Sequence, residues 1–483
     1  MVPSKTISPL QIYLKIKTNI KMVRVINQET FDSVVKENIE DLDLSPEEAV
    51  EDAIKQFKAQ GVDLTNIVTS LPDASEEHKI VNLINNLKTM NEATTGDEVD
   101  IPKLKDSLQG LKAECDIDIA HKVMAGKAGT YQLLLDLLEK HQEDDSISLL
   151  VLAAVTSLMT GQPDLLTERG VQSILNLIKS ENEAVKVQAL KWARQCCLRH
   201  EQNRQLLFEF EIAPLLTEEL TSCSSIVARH ICAVLRSLIL DDDIRVPFGK
   251  AHEHARIIAS DFNALKSISQ LLHTHKGDIE TVNELLQTLG ALVVREEFCR
   301  EVEECGGLTF LLEMMITYMD DEKINRQAIK LLKALAGSDA VKAKIVQADA
   351  IPLLISAIGR HQSSQQLFLI GVLAIAAISL RSPANSEVLC NFGVAELITQ
   401  GMKEHLQNVE IQRNCALAVR NIVSRNRELC KEFVDLNIED LLNLSVQTHG
   451  VAVEENIKDA LRDLGLKVQL TERWTGTGKG LEQ

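Results

Sequence analysis

The sequence predicts an all-α chain built as a solenoid of stacked helical repeats, and three observations carry that prediction. The first is a pattern that keeps returning, a small or loop-type residue followed four positions later by Leu or Ile. It reads G-V-Q-S-I-L from Gly170, G-L-T-F-L-L from Gly307, A-I-P-L-L-I from Ala350, G-V-A-E-L-I from Gly393 and N-I-E-D-L-L from Asn437, with weaker copies from Gly129, Ile212 and Ala264. The second is spacing. Successive starts lie 41–44 residues apart, except for one step of 52, and a period in this range holds two or three helices. The third is composition: 45% of the residues are apolar but only 3% aromatic, so Leu, Ile, Val and Ala must fill the interior, which suits closely packed helices. A single unit of this size cannot bury its own apolar face. Neighbours must stack, and a chain of 483 residues then grows in one dimension past the limit of a single core.

In chain order, residues 1–24 carry Lys5, Lys15, Lys17, Lys21 and Arg24 and no acid. They read as an N-terminal extension, with a mitochondrial transit peptide as the alternative. Residues 25–120 are helical but off the period and read as a small helical N-terminal domain. Ser45-Pro46-Glu47-Glu48 is a capping box with Pro in the first turn, opening a helix that runs to about Ala59 and stops at Gly61. Leu71-Pro72-Asp73 is a turn, and Ser75-Glu76-Glu77 opens a helix with Ile80, Leu83, Ile84 and Leu87 on one face. Thr94-Thr95-Gly96-Asp97 is a loop, and a further helix follows Pro102. About eight repeats fill residues 121–466, with an insert near 241–250, and residues 467–483 form a flexible tail. Each repeat reads as a short first helix, a second helix at the recurring motif and a longer third. In the sixth these span about 340–347, 351–358 and 365–380. The position four after each motif start is Leu133, Ile174, Leu216, Ile268, Leu311, Leu354, Leu397 or Leu441, as a buried site requires.

Cys415-Ala416-Leu417-Ala418-Val419-Arg420-Asn421-Ile422 resembles the third helix of an armadillo repeat, and Ala350-Ile351-Pro352-Leu353-Leu354 resembles the start of a second. Asn27–Asp32, Gly61–Leu64 and Asp241–Gly249 are similar to one member of that family. The resemblance implies an armadillo-repeat α-solenoid and a non-catalytic scaffold or adaptor whose inner groove binds extended segments of other proteins. In the best known members an Asn on each third helix clamps the peptide backbone, with a Trp one turn earlier. Those positions here are Ser157, Gln195, Ser237, Ala291, Ala334, Ala377 and Asn421, and only Asn421 keeps the residue. Trp192 is off-register and reads as core. A transport-receptor role, the alternative function, loses its ladder by this count.

A basic pattern stands in its place. Arg194, Arg236, Lys333 and Arg420 lie beside the ladder positions. Arg199, Arg295, Arg381 and Arg425 lie one turn after, and Lys191 and Lys330 one turn before. Acids on the third helices are few: Glu183, Glu280, Glu284, Glu322 and Glu410. In a chain with 70 acids, 51 bases and a formal charge of −19, this segregation reads as a basic strip for acidic or phosphorylated segments. The competing reading is solvated helix faces with intrahelical ion pairs.

The 52-residue step adds about ten residues near Asp241–Lys250. Inserts in repeat arrays map to loops that often touch partners, which makes Arg245, Phe248, His252 and His254 candidate contacts. His252 and His254 do not share a helix face, and no Cys or third His has ligand spacing, so no metal is assigned. Trp474-Thr475-Gly476-Thr477-Gly478-Lys479-Gly480 lacks the first Gly, the Ser/Thr and the following helix of a phosphate loop. No catalytic motif and no cofactor fingerprint appears. The acidic balance argues against nucleic acid and anionic membrane, and no run of about 18 apolar residues exists. Ten Cys without C-x-x-C or secretory signal place a monomer in the cytosol or nucleus.

Overall fold

The computed structural model describes residues 24–70, 77–92 and 100–468. The expectations for residues 1–23, the Leu71–Asp73 turn, the Ser75–Glu76 helix start, the Thr94–Asp97 loop and the tail beyond 468 lie outside them. Two compact units form, one of residues 1–210 with 241–247, the other of residues 211–240 with 248–483.

The first unit opens with β1 (Arg24–Val25), α1 (Gln28–Leu42), α2 (Pro46–Ala59) and β2 (Val62–Asp63). The strands pair in parallel, Arg24 facing Val62 and Val25 facing Asp63. The capping box forms as read, with Ser45 and Glu48 each accepting from the other's backbone N–H. Phe31, Val35, Ala49, Ala53, Phe57, Val62 and Ile67 make a core of their own, with the Phe31 and Phe57 rings 5.9 Å apart. There follow α3 (Lys79–Glu92), α4 (Ile101–Ile117), α5 (Ile119–Lys127), α6 (Thr130–Lys140), α7 (Asp145–Met159), a 3-10 turn (Pro163–Leu165), α8 (Glu168–Ile178), α9 (Glu183–Cys197) and α10 (Glu201–Glu209). The long helices α4, α7 and α9 pack one on the next.

The second unit holds α11 (Ile212–Glu219), α12 (Ser225–Leu238), α13 (Ala251–Ser260), α14 (Ala264–Thr274), α15 (Ile279–Leu292), α16 (Glu296–Glu304), α17 (Gly307–Thr317) and α18 (Glu322–Leu335). It continues with α19 (Asp339–Gln347), α20 (Ala350–Arg360), α21 (Gln365–Ser379), α22 (Pro383–Asn391), α23 (Val394–Glu404), α24 (Val409–Val423), α25 (Cys430–Asp435), α26 (Ile438–His449) and α27 (Val451–Asp463). The sixth repeat is α19–α20–α21, each boundary within two residues of the reading. Third helices α12, α15, α18, α21, α24 and α27 stack in order. Together with the repeats of the first unit, this is the all-α armadillo-type solenoid architecture, preceded by a small helical N-terminal domain.

The turn between first and second helices explains the recurring motif. One residue there adopts positive φ in seven repeats: Gly129, Glu211, Asn263, Gly306, Asp349, Gly393 and Asn437. It reverses the chain in a single step, which Gly does without strain and Asn or Asp at modest cost. Counted five on from it, Leu134, Leu216, Ile268, Leu311, Leu354, Ile398 and Leu442 are all completely buried. In the second repeat Thr167 caps α8 from outside instead, its side chain accepting from the Gly170 N–H.

A second periodic device closes the other end of the second helices. In the second unit the Tyr318 hydroxyl donates to the Lys276 carbonyl at 3.3 Å. His361 Nε2–H donates to Met319 at 3.1 Å, His405 to Gln362 at 2.7 Å and His449 to Leu406 at 2.7 Å. Each acceptor is the residue just past the ring-bearing position of the preceding repeat, so the rings tie successive turns together.

Candidate protein-binding surface

Because third helices stack edge to edge, each buries the faces toward its neighbours and its second helix and leaves one face open. The expected cations divide according to whether a carboxylate answers them. On α9, Lys191 and Arg194 are exposed, and neither has an ionic or hydrogen-bonding partner among the described residues. Beside them Gln195 donates 2.9 Å to Thr160. On α18, Lys330 is exposed and Lys333 half-buried, again without such a partner among the described residues.

Elsewhere a carboxylate of the following helix answers the cation. Arg236 on α12 pairs with the Glu284 carboxylate of α15 and donates to the Glu284 carbonyl at 3.1 Å and to Thr288 at 2.7 Å. Arg229 pairs with Glu280. Arg420 on α24 lies 2.8 Å from Asp459 and 3.4 Å from Asp463 of α27. Within one helix, Arg326 lies 3.7 Å from Glu322 and also donates to Gln366 of α21. Arg295 sits at the N-cap of α16, 3.6 Å from Glu297. Arg199 and Arg381 follow their third helices at φ 54° and 59° with exposed side chains. Arg425 is exposed beyond α24. Asn421 turns sideways: its Nδ2 donates 3.0 Å to the Ala376 carbonyl of α21. Trp192 is fully buried, its indole N–H 3.0 Å from Met159 Sδ and its ring edge-on to Tyr131.

The insert folds inward at its acids. Asp242 accepts from the Arg199 N–H through both oxygens at 3.1 Å and from Arg204 at 2.6 Å. Arg204 is 1% exposed and also holds Glu201 at 2.9 Å and the Cys197 carbonyl at 2.8 Å. Asp243 accepts from the Glu201 N–H at 3.0 Å and from Arg245 at 2.8 and 3.0 Å. Arg245, then the Glu201 amide, holds the Asp243 carboxyl far below its usual range. Arg245 reaches Asp164 and the Arg199 carbonyl as well, both at 3.2 Å, so the guanidinium read as a partner contact is engaged within its own unit. Phe248 is 92% exposed. His252 is exposed, whereas His254 is buried with Nδ1 3.2 Å from the Leu238 carbonyl. The two imidazoles do not converge.

Burial pushes the thiols of Cys115, Cys232 and Cys390 up to about 12, keeping them protonated. No cluster of three or more His, Cys, Asp or Glu among the described residues is placed to hold a metal. No described helix is long and apolar enough to cross a membrane. The sequence reading missed the acceptors Asp459 and Asp463 and the rings at 275, 318, 361, 405 and 449. The rings carry their own signal, a spacing of 43 or 44 residues.

Comparison with known proteins gives concordant results. A solved engineered protein superposes at a TM-score of 0.66 with 18% identity, covering 79% of this chain and 89% of its own. A chain from a structure concerned with a phosphorylation switch in the cadherin–beta-catenin interaction superposes at 0.62 with 13% identity, covering 90% and 83%. These similarities bear on the fold alone. The Drosophila melanogaster armadillo repeat-containing protein 6 homolog is 38% identical over 465 residues, covering 95% of this chain and 99% of the relative. The Homo sapiens armadillo repeat-containing protein 6 is 35% identical over 392 residues, 77% of each. A family model for the armadillo repeat-containing protein 6 N-terminal domain matches residues 23–86, and the ARMC6 family model matches 80–482. Matched in both parts and aligned along nearly its whole length, the chain belongs to the armadillo repeat-containing protein 6 family.

Proposed function

We propose that this chain is a non-catalytic protein-binding scaffold that holds acidic or phosphorylated extended segments against the open face of its third helices. The observation that carries this reading is the contrast on that face. Arg236 and Arg420 are answered by carboxylates of the following helix, while Lys191, Arg194, Lys330 and Lys333 are left without a counter-charge among the described residues. In a chain of net charge −19, unneutralised cations on α18, and separately on α9 of the other unit, supply charge-assisted contacts that steer an anionic segment. Many shallow contacts along stacked helices suit an extended ligand better than a compact one. The protein acts as a monomer in the cytosol or nucleus, where its ten free thiols stay reduced.

The test is a fluorescence-anisotropy titration of acidic, phosphorylated, neutral and basic extended peptides of equal length. Acidic and phosphorylated peptides bind at least about tenfold more tightly than neutral ones, and Lys330→Glu with Lys333→Glu removes that preference. Equal affinity for neutral peptides overturns the reading. Preference for the basic peptide replaces it with a transport-receptor role.

A further inference from the structure

Within the second unit, α21 departs from the third helices on either side of it. Its 15 residues carry no charge. Positions in α18, α21 and α24 correspond one for one at steps of 43 and 44 residues. Where α18 has Arg326 and Lys330 and α24 has Arg413 and Leu417, α21 has Leu369 and Leu373. Where α18 has Lys333 and α24 has Arg420, α21 has Ala376. Leu369, Leu373 and Ala377 follow one another at the helical spacing of four and share a face. All three are half-buried, as is Leu417, whereas Phe368, Val372 and Ile375 are fully buried. An apolar step therefore lies on the open face, between two helices that present cations.

The charges bordering that step are predominantly positive. α18 carries Glu322, Lys323, Arg326, Lys330 and Lys333, and α24 carries Glu410, Arg413 and Arg420. Glu322 lies 3.7 Å from Arg326 and accepts from Ser364 at 2.8 Å. Arg420 is answered by Asp459 and Asp463, and Asp339, in the turn after α18, lies 2.9 Å from Lys342. Lys323, Lys330, Lys333 and Arg413 keep no ionic partner among the described residues. Against them stands Glu410, one turn before Arg413. Exposed Arg381 and Arg425, just past α21 and α24, add to the positive side. Asn421 is engaged by the Ala376 carbonyl, so a ligand backbone finds no amide clamp here and its side chains must carry recognition.

Helices packed side by side lie about 8–10 Å apart. Three residues of extended or polyproline-like chain span about 9–10 Å, and in the polyproline form residues three apart face the same way. We infer that Leu369 and Leu373 form an apolar subsite for one bulky aliphatic or aromatic side chain of an acidic segment. The segment's acids, three residues before and three after that side chain, meet Lys330 and Lys333 on one side and Arg413 on the other. The subsite rests on the anionic-segment function proposed above and narrows the ligand class.

In the experiment, the full-length chain is titrated by fluorescence anisotropy with four peptides of equal length. The first has Leu at its centre with Glu three residues before and after. The second has Ser in place of that Leu, the third has the Leu moved to one end, and the fourth has Gln in place of both Glu. The first binds about tenfold or more tightly than the second and third, and also more tightly than the fourth at low salt. Leu373→Lys, which gives α21 the residue α18 has there, removes the preference for Leu over Ser and keeps the preference for Glu over Gln. Leu and Ser peptides within about twofold of each other, with Glu still preferred, overturn the subsite and leave the proposed function standing. Equal binding of the Glu and Gln peptides overturns both. A Leu preference unchanged in Leu373→Lys also overturns the subsite, as does a dimer of the parent chain that Leu373→Lys dissociates in light scattering.

Discussion

The imidazole of His405 donates its Nε2–H to the carbonyl of Gln362, 2.7 Å away in the preceding repeat. A carbonyl can only accept, so the tautomer is determined, and 15N-resolved NMR finds the proton on Nε2. His405 is 5% exposed and its ring packs 5.2 Å from that of Phe368. Replacement by Ala removes the bond and opens a cavity, costing about 2 kcal/mol or more in chemical denaturation. His405→Phe keeps the ring but leaves the Gln362 carbonyl without this donor and costs about 1 kcal/mol.

Gly401 lets α23 approach α21. A Cβ there meets the Phe368 ring at 1.8 Å, so Gly401→Ala forces the aromatic aside and destabilises by about 2–3 kcal/mol. Gly290, inside α15, has nothing within 4 Å of its missing Cβ. Gly290→Ala is therefore neutral or stabilises by up to about 1 kcal/mol, the helix-propensity difference. Gly401→Ala must lower the melting temperature and Gly290→Ala must not, or the packing is misassigned.

Arg204 is the buried cation of the first unit, with Glu201 2% exposed at 2.9 Å. Arg204→Met removes the guanidinium that answers both Glu201 and Asp242, which costs about 3–5 kcal/mol. The double change Arg204→Met with Glu201→Gln recovers part of that loss. A double-mutant cycle with no recovery excludes the pair as the origin of the cost.

Asp243 gives a pH signature. Arg245 and the Glu201 N–H depress its folded-state pKa, so its contribution is complete above the unfolded value near 3.9 and is lost as pH falls below about 4. Asp243→Asn lacks that contribution at neutral pH, and its stability declines less steeply between about pH 4 and pH 2. An acid limb identical to that of the parent protein contradicts the assignment.

The period, the helix order and the buried Leu/Ile positions were legible because apolar spacing is dictated by stacking itself. The motif register was legible only to within one residue. Gly129, Gly393 and Asn437 are themselves the positive-φ residues, whereas Ile212, Ala264, Gly307 and Ala350 each follow theirs. A left-handed turn closed by Glu211 or Asp349 shows no small residue to mark it. The cations within α9, α12, α18 and α24 were readable, whereas Arg199, Arg295, Arg381 and Arg425 fall just past their third helices. The counter-charges were not readable, because Arg236 meets Glu284 and Arg420 meets Asp459 across a whole period of chain. The same holds for the insert: its length was visible, but nothing local says that Asp242 reaches Arg204.

The ring ladder also bears on how the array can change in size. Every acceptor from Lys276 to Leu406 occupies the same place in its repeat, so removal of residues 307–349 as one block would leave His361 facing the Lys276 carbonyl where Met319 had been. Lengthening or shortening by whole multiples leaves no orphaned end, whereas any fractional deletion does. Selection on such a chain can therefore trade reach for economy in complete steps without redesigning a single junction.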